Sequence, residues 1–206
     1  MKALWVTDRR AAGNERFQEL LDTLAGTPGL TVQLRERGTR DREALEWAGR
    51  ARIALGRTTP LYVNRRADIA LAAGADGVHL PASGLPLPRV RRAAPRGLRV
   101  GVSTHSAAEA VHAIEGGADL VVLGPIFDTP SKRQYGAPLG PEALAALPPR
   151  AEHGSEVYAI GGIGADNVAR LDPWLDRIDG VAAIRYFQEA KDPRGAAQAL
   201  ARRAAC

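Results

Sequence analysis

Cysteine is nearly absent from this chain, its one thiol being the final residue, Cys206. No internal disulfide can form, and the usage is that expected of a cytoplasmic protein. Aromatic residues make up only 5%, so the chain offers no stacking platform for bases. That weakens a nucleic-acid reading of the +5 net charge, which rests on scattered arginines rather than a basic stripe. No apolar run approaches the roughly 20 residues of a membrane span. The apolar core of the N-terminal stretch is too short for a secretory leader. No Gly-x-Gly-x-x-Gly follows the first apolar run, no nucleophile elbow appears, and no His/Cys/carboxylate set has zinc spacing. Acidic residues are scarce where chemistry is expected: Asp8 and Asp128 alone stand near strand ends, too few for a divalent-metal cage.

What the chain has is alternation. Apolar strand-like runs at Ala3–Thr7, Thr31–Arg35, Pro60–Asn64, Gly77–Leu80, Leu98–Ser103, Asp119–Gly124, Glu156–Gly161 and Gly180–Arg185 alternate with Ala/Leu-rich helical stretches. The helices are expected near Asn14–Ala25, Asp41–Leu55, Arg66–Ala73, Leu87–Ala93, Ala107–Glu115, Pro141–Leu147, Ala165–Leu171 and Pro193–Ala204. Ser106 and Asp192 are placed as helix caps. Eight βα units in 206 residues predict a single α/β domain spanning residues 1–206, a (β/α)8 TIM barrel with short loops.

One connection is long. Gly124 to Gly140 holds three prolines, three glycines, Thr129, Ser131, Lys132 and Arg133, a composition suited to seating a phosphorylated ligand. In a barrel the catalytic groups gather at the C-terminal strand ends. Those positions supply Gln33, Arg35 and Arg37, then Asn64, Arg65 and Arg66, then His79, Ser103, Thr104 and His105. Nearly all are cations or neutral polar groups, so the mouth should accept an anion. The seventh and eighth loops, with Gly161, Gly162, Ile184 and Arg185, form the corner where TIM barrels often hold phosphate, although glycines there also serve tight turns. His105 is the expected proton carrier, because imidazole titrates near neutrality. His79 is second; its mid-strand place also suits a hydrogen-bonded core histidine.

These residues fall into longer motifs: Leu4-Trp-Val-Thr-Asp8, Val32-Gln-Leu-Arg35, Gly74-Ala-Asp-Gly-Val-His-Leu80, Val102-Ser-Thr-His105, Gly124-Pro-Ile-Phe127, Thr129-Pro-Ser-Lys132 and Ala159-Ile-Gly-Gly-Ile163. Together they resemble the thiamine phosphate synthase/TenI family of TIM-barrel proteins over almost the whole chain. In the synthase a pyrimidinylmethyl diphosphate ionises and a thiazole phosphate captures the cation. The resemblance implies a diphosphate held by Arg35, Asn64, Ser103 and Lys132, with Arg37 replacing a lysine and with Gln33, Thr129 and Ser131 lining the site. It implies a thiazole phosphate on Gly161, Gly162 and the backbone around Ile184, and a homodimer.

Three departures stand out. The synthase carries Mg²⁺-binding aspartates after strands three and four, where this chain has Asn64-Arg65-Arg66 and His79-Leu-Pro-Ala-Ser-Gly84. Arg185 replaces a serine near the end of strand eight. On that pattern the chain is expected to sit closer to the TenI branch, as a thiazole tautomerase. Such an enzyme aromatises a carboxythiazole phosphate without metal or other cofactor, using His105, His79 and Lys132. Against this, Pro125 occupies a position that is histidine in the tautomerase pattern. The alternatives are a thiamine phosphate synthase, requiring Mg²⁺, and a non-catalytic regulator that kept the phosphate pocket. None of the three calls for nucleic acid or membrane as a partner.

Overall fold

Eight short parallel strands close on themselves in the computed structural model, which describes residues 1–129 and 137–201. They are β1 (Lys2–Val6), β2 (Leu30–Leu34), β3 (Leu61–Asn64), β4 (Gly77–Leu80), β5 (Arg99–Thr104), β6 (Leu120–Leu123), β7 (Glu156–Ile160) and β8 (Gly180–Ala183). Each pairs in parallel with its successor, and β8 returns to β1 with Trp5 opposite Ala183. The expected TIM barrel is therefore the observed fold. Strands such as β2, buried at all five positions, show why the sequence runs are continuously apolar: one face fills the barrel and the other meets the helices.

The helices are α1 (Arg9–Ala12), α2 (Asn14–Leu24), α3 (Asp41–Leu55), α4 (Ala67–Ala72), α5 (Leu87–Ala93), α6 (Ala107–Glu115), α7 (Arg185–Gln188) and α8 (Pro193–Ala201). In α2 the buried Phe17, Leu20, Leu21 and Leu24 recur at helical spacing and form one apolar stripe. Phe17 packs between Trp5 and Trp47, with ring centroids 5.7 and 5.4 Å away, tying the first strand to two helices. Inside the barrel Leu4, Val6, Tyr62, Leu120, Val122, Tyr158 and Ala182 make a second, smaller core.

Ser106 caps α6 as expected, accepting the Glu109 N–H. Asp192 likewise accepts the Gly195 N–H at the start of α8. Elsewhere the chain departs from its apolar pattern. The expected helices Pro141–Leu147 and Ala165–Leu171 are 3₁₀ turns at Pro141–Ala146 and Val168–Trp174. In the second, Pro173 has no N–H to donate, which disfavours a regular α-helical ladder. Two helices, α1 and α7, were not expected; both are four residues long, too short for periodicity to reveal. Strand eight stops at Ala183, so Arg185 opens α7 instead of ending the strand.

Candidate active site at the barrel mouth

Strand alternation directs one row of polar side chains inward below the C-terminal rim. Gln33 donates from Nε2 to Asn64 Oδ1 at 3.2 Å, joining β2 to β3. His79 Nε2 lies 2.8 Å from Ser103 Oγ, joining β4 to β5. The imidazole has space because position 101 is glycine: a Cβ there would stand 2.7 Å from His79 Nδ1. His79 is 1% exposed, and burial pushes its pKa down to about 3. It is a neutral, packed group at physiological pH, in keeping with the core reading of this residue. Its Nδ1 has no hydrogen-bond partner.

His105 sits higher, exposed at the end of β5. Its Nδ1 is 2.9 Å from the Gly124 carbonyl, which can only accept, so Nδ1 carries the hydrogen and Nε2 of the neutral ring is left to take a proton. The backbone N–H of His105 bonds to Glu109 Oε2 at 2.7 Å, which fixes the residue against α6.

Cations gather over β2 and β3. Thr7, fully buried at the end of β1, accepts the Arg35 N–H at 2.9 Å and holds the start of this loop. Arg35 is half-buried. Burial first, then the positive charges of Arg37 and Arg65, push it below the usual guanidinium range, against the opposing pull of Asp8. Arg65 is exposed and adopts φ 66°, alone among described residues other than glycine in the left-handed region. Arg66 is turned elsewhere, onto Asp41 and Asp68 at 2.5 and 2.6 Å, so it does not add its charge freely to the mouth. The carboxylates near this rim are engaged as well. Asp8 caps α1 by accepting the Ala11 N–H. Glu36 is buried against Arg9, whose guanidinium also reaches Glu43 at 2.6 Å and lies over the Trp47 ring.

On the far side of the mouth the backbone dominates. Ile126 and Phe127 donate to the carbonyls of Ile160 and Gly161, so the sixth loop lies against the seventh. Glycine is required for that approach: a Cβ at Gly161 would stand 2.6 Å from Pro125 Cβ, and one at Gly162 2.5 Å from the Asp128 carbonyl. Both residues also have positive φ, 105° and 63°. Asn167 braces the turn, donating to Gly162 O at 2.7 Å and accepting the Gly164 N–H at 2.9 Å. Ile184 precedes α7, and from that helix Gln188 exchanges two 2.9 Å bonds with the Asp8 backbone, closing the rim between β8 and β1. Thr129 is half-buried at the edge of the described sixth loop, whereas Ser131 and Lys132 lie outside the described residues. Thr7, Asn167 and Gln188 were not among the expected site residues. Gln188 acts across 180 positions, and no local pattern announces such a contact.

Two surface depressions lie away from the mouth. One of about 450 Å³ is bordered by α6, Leu147 and His153. The other, of about 510 Å³, opens at the opposite rim beside Asp76 and Arg99. Neither contains the gathered polar row, which leaves the C-terminal strand ends as the candidate site.

Residues 3–187 match the family model described as thiamine monophosphate synthase (TMP-TENI). The chain belongs to this family. It is 40% identical to the thiamine-phosphate synthase of Methanoculleus marisnigri, over 96% of this chain and 92% of that protein. The Chloroflexus aurantiacus thiamine-phosphate synthase is 35% identical, over 95% and 88% of the two chains. Among solved structures, the thiamine phosphate pyrophosphorylase from Pyrococcus furiosus superposes with a TM-score of 0.80 at 30% identity, covering 98% of this chain and 94% of that one. The first two are named as synthases, so they favour the transferase alternative over the expected TenI branch.

Magnesium is the ion that the family resemblance attaches to the synthase reaction. The residues present do not fit it. An exposed arginine, Arg65, stands where the first aspartate is expected, and the stretch after β4 offers no carboxylate. No group of three His, Cys, Asp or Glu able to hold a metal occurs among the described residues.

Proposed function

We propose that this member of the thiamine monophosphate synthase family catalyses the transfer for which its relatives are named, joining a pyrimidinylmethyl group to a phosphorylated thiazole. The support is the pairing of synthase relatives at 35–40% identity with a mouth built from anion-binding groups. The methylene–oxygen bond to diphosphate breaks, and the bonding pair leaves with the diphosphate. The thiazole nitrogen lone pair then forms the new carbon–nitrogen bond. Arg35 and Arg37 answer the charge that develops on the leaving oxygens, and Asn64 and Ser103 orient them by hydrogen bonds. Across the barrel, Gly161, Gly162, Ile184 and Arg185 receive the thiazole phosphate. Incubation with both substrates, followed by chromatography, should yield thiamine phosphate.

A second reading has its own observation. Because His105 Nδ1–H is committed to Gly124 O, Nε2 can move a proton, as tautomerisation of a carboxythiazole phosphate requires. This reading replaces the first if no thiamine phosphate forms, the exocyclic alkene is aromatised, and His105→Gln abolishes that conversion.

A further inference from the structure

We infer that Arg35, Arg37 and Arg65 form a guanidinium cluster that binds diphosphate in place of a divalent ion. The inference rests on the transfer reading above only in naming diphosphate as the leaving group. Its structural basis is the register of two neighbouring strands. β2 and β3 pair with Leu34 opposite Val63, so Arg35 and Arg65 each follow the end of one of two adjacent strands, one register position apart. Arg37 follows in the same β2 loop. Arg37 and Arg65 both act electrostatically against the charge on Arg35, with Asp8 pulling the other way.

No ion pair within 4 Å joins any of the three to a carboxylate among the described residues. Glu36 is committed to Arg9, and Asp8, which caps α1, attracts Arg35 only without a direct ion pair. Arg35 is half-buried while Arg37 and Arg65 are exposed; like charges gathered at one rim oppose one another, and a polyanion relieves that opposition. Guanidinium forks also match phosphate oxygens by paired hydrogen bonds.

The backbone at Arg65 points the same way. Its N–H is bonded to the His79 carbonyl at 2.8 Å, and the next N–H turns back to Asn64 O at 2.9 Å, which clamps residue 65 in the left-handed conformation. Glycine would adopt that geometry more readily. Glycine would make the same backbone bonds without strain, so an arginine there carries a conformational cost that fits a role for its side chain.

Inorganic diphosphate is the probe, followed by isothermal titration calorimetry in EDTA and again in excess Mg²⁺. The wild-type chain should bind in EDTA, and excess Mg²⁺, which itself complexes diphosphate, should not tighten the binding. Arg65→Gly, which suits the backbone and so preserves the fold, should weaken binding at least tenfold. Arg66→Gln, altering a side chain directed at Asp41 and Asp68, should bind like wild type. Binding that appears only with Mg²⁺, or an Arg65→Gly variant as tight as wild type, overturns the cluster. Diphosphate binding in EDTA without thiamine phosphate formation overturns the transfer reading and leaves the cluster standing. Product formed only with Mg²⁺, with no diphosphate binding in EDTA, does the reverse.

Discussion

The two ends of the barrel handle charge in opposite ways. At the base, Glu156 receives Lys2 Nζ at 2.7 Å and the Tyr158 hydroxyl at 2.9 Å, and Tyr62 bonds with Arg99. Burial pushes the Tyr62 hydroxyl up to about 12, so it remains a neutral partner. At the mouth, Arg37 and Arg65 oppose the charge on Arg35 and only Asp8, itself a helix cap, pulls against them, while Glu36 serves a buried ion pair. The base balances its charges within the chain and serves stability. The mouth leaves a positive surplus that opposes the apo fold and that the proposed anion would offset.

His79 offers the largest test, because it lies between these ends with an uncompensated burial cost. Its folded pKa, about 3, is below the unfolded value near 6.5. The unfolded chain therefore binds the extra proton first as pH falls, and stability present above pH 6.5 is lost progressively toward pH 3. Denaturant titrations across that range should show a loss on the order of 3–5 kcal/mol from this group. His79→Asn should flatten that slope; an unchanged slope would remove His79 as its source.

Arg35→Gln separates the roles of the two ends directly. Losing a charged hydrogen-bonding partner costs about 1.5–3 kcal/mol, so diphosphate should bind roughly tenfold to a hundredfold more weakly. The apo protein should melt no lower than wild type, since a repulsive charge is gone. A clear drop in Tm would mean that the rim is balanced like the base. Gly162→Ala probes the backbone side of the mouth. Its Cβ meets the Asp128 carbonyl at a positive φ, and about 1–3 kcal/mol of stability should go by thermal melting, together with the shape of the seventh loop. The smallest effect belongs to Lys2→Met at the base. The pair is partly solvent-exposed, so at most about 1 kcal/mol is at stake, and diphosphate affinity should not change.

Much of the architecture was legible because barrel strands are buried on both faces and helices on one, which writes two distinct periods into the chain. α3 and α6 match their expected limits, and β4 runs from Gly77 to Leu80 as read. The short α1 and α7 were not legible, since four residues carry no helical period. The 3₁₀ turns at Pro141–Ala146 and Val168–Trp174 were read as α-helices because apolar spacing does not report which carbonyl an N–H will choose. In the site, the cationic and glycine-rich strand ends could be read, and so could the missing carboxylates after β3 and β4. The expectation of the TenI branch rested on that loss, whereas the named relatives favour the synthase alternative.

By itself, then, the amino-acid order determined the barrel, the positive mouth and the loss of the metal-binding pattern, because burial periodicity and residue chemistry are local properties. Only the folded chain decided which charges remain available. Arg65 and Arg66 are neighbours of the same type, yet one is held in a left-handed turn beside Arg35 and the other is paired with Asp41 and Asp68. Electrostatic energy depends on distance in space, and closing the barrel is what sets those distances.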